Sequence, residues 1–220
     1  MSRHLHDLLQ DLRGRVARMG AMVQQVVDQA VESFFNADPK LAQRAIDGDD
    51  RIDEEEVRVE KAAIDLLALH QPAAGDLRLI TTVIKVNSEL ERIADCAVNA
   101  AQRVLPLAHA GGGYEVPPDL RLMCNNVVST LRETIKAFNL SDVDLARRVL
   151  KSDDVVDALY HQIVQDMLAQ MESDGQKAAA DLSHIMIAKN LERMADHCTN
   201  IAEDVVYVRS GRIIRHRNAG

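Results

Sequence analysis

Apolar residues recur at helical spacing through almost the whole chain, and no segment shows the strict alternation of a half-buried strand. Prolines and glycines fall mainly between the periodic segments, where they mark the ends of helices. Most connections are short and predict antiparallel neighbours, because a tight turn folds each helix back on the one before it. The pattern predicts an all-α chain of six long helices, at about residues 4–36, 39–70, 74–108, 119–139, 142–172 and 177–209.

The two halves of the chain carry the same pattern. Residues 90–95, Leu-Glu-Arg-Ile-Ala-Asp, match residues 191–196, Leu-Glu-Arg-Met-Ala-Asp, at an offset of 101 residues. Eight earlier pairs share an offset of 104 residues: Phe34/Phe138, Asp38/Asp142, Leu41/Leu145, Ala42/Ala146, Arg44/Arg148, Asp49/Asp153, Asp50/Asp154 and Asp53/Asp157. Because repeats decide architecture, the predicted fold is two repeated antiparallel three-helix bundles.

One segment interrupts the helical pattern at the middle of the chain. Residues 110–118 read Ala-Gly-Gly-Gly-Tyr-Glu-Val-Pro-Pro, a composition typical of a linker between domains. The predicted organisation is therefore a first bundle over residues 1–109, this linker, a second bundle over residues 119–209 and a basic tail over residues 210–220.

The composition narrows the classes of function. The chain has 34 acidic and 26 basic residues, a formal charge of −8, and only three Phe, three Tyr and no Trp. It therefore lacks the basic surface and the aromatic platforms used to bind nucleic acids. No apolar run approaches the ~20 residues that cross a bilayer. Three scattered cysteines without a C-x-x-C pair predict a reducing compartment, the cytoplasm.

Acidic side chains at helical spacing are the only candidate chemistry. Two ridges follow from spacings of three to four residues: Glu91, Asp95 and Asn99 in the first copy, and Glu192, Asp196, Asn200 and Glu203 in the second. The preceding helix of each copy carries acids able to face its ridge: Asp49 and Asp53 in the first copy, Asp153 and Asp157 in the second. Each ridge borders an apolar face, so its charges need a compensating cation or basic partner.

Oxygen-rich clusters of this kind suit hard cations such as iron, manganese, magnesium or calcium. We predict that the clusters bind either such a metal or a cationic partner. The alternative is a solvated helix face without a function. Like charges one helical turn apart weaken a bare helix, and their repetition in both copies favours binding over this alternative.

No catalytic arrangement is found in the sequence. The glycine-rich phosphate-binding loops, the H-E-x-x-H zinc motif and the G-x-S-x-G nucleophile motif are all missing. A di-iron oxidase built on a four-helix bundle needs paired Glu-x-x-His motifs, and this spacing does not occur. The sequence therefore predicts a protein that is not an enzyme.

The two Leu-Glu-Arg segments resemble the PhoU family of phosphate-uptake regulators. The resemblance extends to Ala-Gly-Asp-Leu-Arg at 74–78 and to Asp-Asp-x-x-Asp at 49–53 and 153–157. It implies two three-helix bundles whose E-x-x-x-D motifs bind iron or other metals. Two positions depart from the family pattern: Cys96 stands where a His commonly follows the motif, and Gly75 stands where an Arg is usual.

The resemblance also implies a function. Proteins of this family are cytoplasmic, non-enzymatic regulators that damp phosphate-starvation signalling when phosphate is plentiful. They are thought to link the ATPase subunit of the phosphate ABC transporter to a membrane sensor histidine kinase, and meet the membrane only through such partners. Two alternatives stay open: a helical iron-binding buffer, and an accessory protein of another phosphate transporter. An exposed apolar seam leaves a homodimer open as well.

Overall fold

The computed structural model describes residues 3–109 and 115–212, and this part of the chain contains helices and no strand. Seven α-helices follow one another: α1 Arg3–Asn36, α2 Pro39–Asp47, α3 Asp49–His70, α4 Ala74–His109, α5 Pro118–Leu140, α6 Val143–Ser173 and α7 Ala178–Ser210. A 3₁₀ turn at Gly175–Lys177 precedes α7. The predicted all-α fold is confirmed, while the middle of the linker and most of the basic tail lie outside the described residues.

The turn between the first two helices of each bundle is built in the same way. Ala37 and Ser141 adopt left-handed φ angles of 49° and 52°, which end the preceding helix. Asp38 and Asp142 then cap the next helix. One carboxylate oxygen of each accepts hydrogen bonds from backbone N–H groups two and three residues further on, at 2.8–3.2 Å. The repeated aspartates are therefore helix caps.

The helix predicted over residues 39–70 is divided into α2 and α3 at Gly48. This glycine keeps right-handed dihedrals, with φ −73° and ψ −21°. A β-carbon at Gly48 would lie 2.8 Å from Cγ2 of Val26 on α1, so only glycine lets the two helices approach this closely. The second copy has Ser152 at the equivalent position, and there α6 runs without a break.

Each copy packs its helices around a continuous aliphatic core. In the first bundle α1, α2, α3 and α4 contact one another, and in the second α5, α6 and α7 do so. Buried side chains such as Leu12, Ile52 and Ile93 in the first bundle and Leu131, Ile163 and Leu191 in the second fill these cores. The acidic ridges lie at the edges of these cores.

The two bundles are joined mainly where α4 packs against α7. Lys85 Nζ lies 3.7 Å from Oδ1 of Asp204, and Asn200 Nδ2 donates to Oε2 of Glu89 at 3.1 Å. These contacts show that the helices are antiparallel, and their register sets Ala94 opposite Ala195. The two buried alanines are equivalent positions of the repeat. An approximate twofold axis therefore passes between them and relates the bundles.

A second seam joins α1 to α5. Arg13 reaches across to donate to Oγ of Ser141 at 2.7 Å, and Asp28 pairs with Arg132 at 3.0 Å. Cysteine contributes no covalent link, because the three cysteines are all buried and free. In the described part of the chain, no helix combines the length and the apolar character that a membrane span requires.

Candidate functional site

The predicted acid ridges of the first copy meet between α3 and α4. Asn87 on α4 fixes the register, since its Nδ2 donates to the backbone oxygen of Glu56 on α3 at 2.9 Å. Five carboxylates, which act on one another electrostatically, are named here the first acidic cluster: Asp49, Asp53, Glu56, Glu91 and Asp95.

Three carboxyl groups of the first acidic cluster, those of Asp49, Glu56 and Glu91, have pKa values above the ordinary ones. Burial, and then the charges of Asp53 and Asp95, raise the pKa of Asp49 to about 6. Burial, and then Asp95 and Glu56, raise the pKa of Glu91 to about 7. Oδ1 of Asp49 is also buried without a hydrogen-bond partner. Negative charge is therefore costly here unless a positive group joins the cluster.

The second copy repeats the arrangement between α6 and α7. Its carboxylates are named the second acidic cluster: Asp153, Asp157, Glu192 and Asp196. Burial, followed by the charges of Asp157 and Asp196, raises the pKa of Asp153 to about 6. Oδ1 of Asp153 is buried without a partner, as is that of its equivalent Asp49. The repeat has thus preserved the electrostatic arrangement as well as the sequence.

One lysine distinguishes the two clusters. Lys189 Nζ lies 2.9 and 2.7 Å from the carboxylate oxygens of Glu192, and 5.2 Å from the ring centroid of Tyr160. The equivalent positions in the first copy are Ser88 and Glu56. The second cluster therefore has a lysine hydrogen-bonded to its glutamate, whereas the first, on which Arg92 acts only electrostatically, has an additional carboxylate at the place of the tyrosine.

The side-chain oxygen atoms of the two acidic clusters are chemically suited to a hard cation. Every side chain of both clusters offers oxygen, and each cluster contains one buried carboxylate oxygen that nothing satisfies. Within residues 3–109 and 115–212, however, no three His, Cys, Asp or Glu side chains converge closely enough to hold an ion. Metal binding by these residues therefore stays a prediction.

The three remaining predicted ligands, two asparagines and one glutamate, have different surroundings. Asn99 is exposed, and Glu203 is half-buried on α7. Asn200 turns its Nδ2 toward Glu89 on α4, and Nδ1 of His197 lies 2.7 Å from the same Glu89 oxygen. Asn200 and His197 thus join the bundles. The ligand roles predicted for Asn99, Asn200 and Glu203 stay predictions.

Glu89 is a residue that the sequence did not single out. Burial would raise its pKa, but hydrogen bonds from His197 and Asn200 and the charges of His197 and Arg92 outweigh burial and lower the pKa. Comparison of the two copies of the repeat indicates the contact between Glu89 and His197. The equivalents of Glu89 and His197 are Asn190 and Cys96, so the acidic and the basic partner change together.

A mutant cycle tests this interpretation. Glu89→Asn leaves His197 without its carboxylate, and we expect the free energy of unfolding to fall by about 1–3 kcal/mol. Adding His197→Cys reproduces the pair found in the other copy and should recover part of the loss. Denaturant unfolding of the four proteins of the cycle measures the coupling. Losses that simply add would contradict a direct energetic link between the two residues.

The sequence profile of the PhoU domain matches residues 16–104 and again residues 120–205. The chain belongs to the PhoU family. Each match lies within one bundle and contains one acidic cluster, so the PhoU domain and the structural repeat are the same unit.

The similarity to individual PhoU proteins extends over almost the whole length of this PhoU-family chain. It is 34% identical over 216 residues to the phosphate-specific transport system accessory protein PhoU homolog of Pseudomonas aeruginosa, covering 98% of this chain and 89% of that protein. It is 32% identical over 208 residues to the phosphate-specific transport system accessory protein PhoU of Escherichia coli, covering 94% and 86%.

A solved structure supports the same assignment. The crystal structure of PhoU from Pseudomonas aeruginosa superimposes on this chain with a TM-score of 0.91 at 34% sequence identity. The match covers 94% of this chain and 99% of the crystallised one. The PhoU fold, with its two repeated helical bundles, therefore accounts for the whole described architecture.

Proposed function

We propose that this chain is a non-enzymatic accessory protein of phosphate uptake that acts in the cytoplasm. In this proposal it binds the ATPase subunit of a phosphate ABC transporter and a sensor histidine kinase, and represses the starvation response while phosphate is abundant. The observation that carries the proposal is the similarity, over nearly the full length, to accessory proteins of phosphate-specific transport.

The first acidic cluster is the surface that we propose for partner binding. Its carboxylates lack a lysine equivalent to Lys189, and the pKa of Glu91 is raised by burial and by its acidic neighbours. A lysine- or arginine-rich segment of a partner would neutralise this charge and be attracted by it at long range. A change in transporter state that alters how well the partner binds would then shift the populations of free and bound regulator.

A second candidate function is metal binding at the same clusters. The unsatisfied oxygens of Asp49 and Asp153 favour it, because a hard cation would complete their coordination. Iron, manganese, magnesium or calcium would be held by these two aspartates with Asp53, Asp95, Asp157 and the motif glutamates. When bound, the cation would supply positive charge to the cluster.

Capture of partners from native cells tests the regulatory proposal. Tagged protein, cross-linked in cells grown with abundant phosphate, should recover a phosphate-transporter ATPase or a sensor kinase, and should recover less of it from starved cells. Mass spectrometry of the captured proteins measures both amounts. Recovery of neither from cells that demonstrably express both would contradict the proposal. A folded bait that instead contains stoichiometric metal by elemental analysis would support the second candidate.

A further inference from the structure

A groove of about 390 Å³ lies on the first bundle between α1 and the α2–α3 segment. Its walls include Arg44 and Arg51, and its floor includes Met22 and Val26. Arg51 follows Asp49 by two residues, which places it about 200° further round the helix. The groove and the first acidic cluster therefore occupy opposite sides of the same helix.

The shape of the groove follows from two matching rows of side chains. Met22, Gln25, Val26 and Gln29 on α1 stand at spacings of three, four and seven residues, and the opposite wall repeats these spacings from Arg44 to Arg51. Gly48 lies at the closest approach, with its hypothetical β-carbon only 2.8 Å from Val26 Cγ2. The helices thus touch at the floor and leave an open space above it.

The groove presents two guanidinium groups, and no carboxylate of residues 3–109 or 115–212 pairs with them. Arg44 and Arg51 are exposed, and neither forms an ion pair with any described residue. Asp47 lines the same groove, and its Oδ1 accepts a hydrogen bond from Gln43 at 2.8 Å. Its negative charge offsets one of the two arginines, so the groove keeps a net positive charge. A guanidinium binds a carboxylate or a phosphate through two parallel hydrogen bonds. These two arginines therefore offer donors suited to an oxyanion.

The second copy does not contain this combination of two arginines and an apolar floor. Its equivalent of Arg44 is Arg148, but Val155 stands at the position of Arg51. At the floor, the hydroxyl groups of Thr130 and Ser152 lie 3.3 Å apart in place of the Val26–Gly48 contact. Two arginines above an apolar floor are thus a property of the first bundle, which argues against a role in the shared fold.

We propose that this groove is a binding site for a small organic oxyanion. The phosphate or carboxylate head lies between Arg44 and Arg51, and the apolar body lies chiefly against the half-buried Met22, with the buried Val26 beside it. The volume falls within the range of about 300–1,000 Å³ that small-molecule sites occupy. The site is independent of the acidic clusters and of the regulatory function proposed for them.

Methyl NMR of the full chain, titrated with phenyl phosphate, tests the site directly. We expect saturable shifts at the Met22 and Val26 methyl groups, with a dissociation constant of about 1 mM or below for so small a ligand. The double variant Arg44→Gln/Arg51→Gln should bind at least about tenfold more weakly. Arg148→Gln, the equivalent change in the second copy, should bind like the parent protein.

Three further ligands resolve what the groove recognises. Inorganic phosphate has only the head and phenol only the body, so each should bind more weakly than phenyl phosphate. Benzoate replaces the phosphate head with a carboxylate, and the tighter of the two aromatic ligands identifies the class of natural ligand. Equal binding of inorganic phosphate and phenyl phosphate would overturn the role of the apolar floor.

The proposal fails if the shifts occur elsewhere in the protein, or if the glutamine variant binds as the parent does. It also fails if phenyl phosphate causes no saturable shift. Thermal unfolding checks that each variant is folded. Arg44→Lys/Arg51→Lys keeps both charges and serves as a second variant if the glutamine protein is unstable. It should bind more tightly than the glutamine variant and more weakly than the parent.

Discussion

Exchanging Glu91 and Asp95 for lysine is expected to switch on phosphate-starvation genes in cells that grow with abundant phosphate. The change reverses two charges of the first acidic cluster, which has no lysine of its own at the position of Lys189. A basic partner segment would then be repelled, and the loss of even one charged contact weakens binding by roughly tenfold or more. A reporter gene under a starvation-induced promoter, in a strain that lacks the native protein, measures the effect.

Two matched variants show whether position or total charge is responsible. Asp65→Lys alters an exposed acid on the side of α3 away from the cluster, and repression should persist. Glu192→Lys/Asp196→Lys alters the second cluster, where Lys189 already neutralises Glu192, and should derepress less than the first pair. Full repression by a folded, normally expressed Glu91→Lys/Asp95→Lys protein would rule out the first cluster as the partner surface.

Acidification is expected to increase the contribution of the two clusters to the stability of the folded protein. Asp49 and Asp153 have folded-state pKa values of about 6 against an ordinary 3.8, and that of Glu91 is about 7 against 4.5, in each case chiefly because burial disfavours the charge. Between about pH 4 and pH 7 the folded protein therefore binds more protons than the unfolded chain. The stability from these groups consequently falls as pH rises through this window.

The double variant Asp49→Asn/Asp153→Asn isolates this contribution. It should be more resistant to denaturant than the parent protein at pH 7.5, and the advantage should vanish near pH 4, where the parent carboxyl groups are protonated. Measuring unfolding at both pH values decides the point. An equal difference between the two proteins at both pH values would mean that the aspartates act through packing or hydrogen bonding and not through charge.

A divalent cation should stabilise the protein through the same carboxyl groups, but at neutral rather than acidic pH. Manganese or magnesium is expected to raise the melting temperature of the parent protein at pH 7.5, and to have little effect at pH 5, because protons compete for the same oxygens. The Asp49→Asn/Asp153→Asn protein should respond less at both values. An equal response of parent and variant would remove these two aspartates from the candidate metal sites.

The repeat and the order of the helices could be predicted because they depend on local sequence. Asp38 and Asp142 cap helices through backbone groups only two and three residues away. The need for glycine at position 48 was missed because it arises from another helix, where Val26 approaches the glycine. Spacing within one helix does not reveal such a contact.

Part of the candidate site could also be predicted, because it depends on spacing within a single helix. Helical spacing placed Glu91 beside Asp95, and the repeat identified their equivalents. The contacts of Glu89 with His197 and Asn200 depend on how α4 lies along α7, which no pattern within either helix determines. Lys189 was also missed, because its importance follows from the ring and the carboxylate that it reaches in space.

Two identical subunits related by a twofold axis also place equivalent residues opposite each other, as Ala94 and Ala195 are placed here. In a true homodimer every substitution occurs twice, so the two sides of the axis must remain chemically alike. Carrying both copies in one polypeptide removes this constraint. Glu89 and His197 are therefore free to differ from Asn190 and Cys96, and Lys189 from Ser88. The fused pair thereby combines one half in which a lysine bonds a glutamate of the cluster with one in which the equivalent position is an uncharged serine.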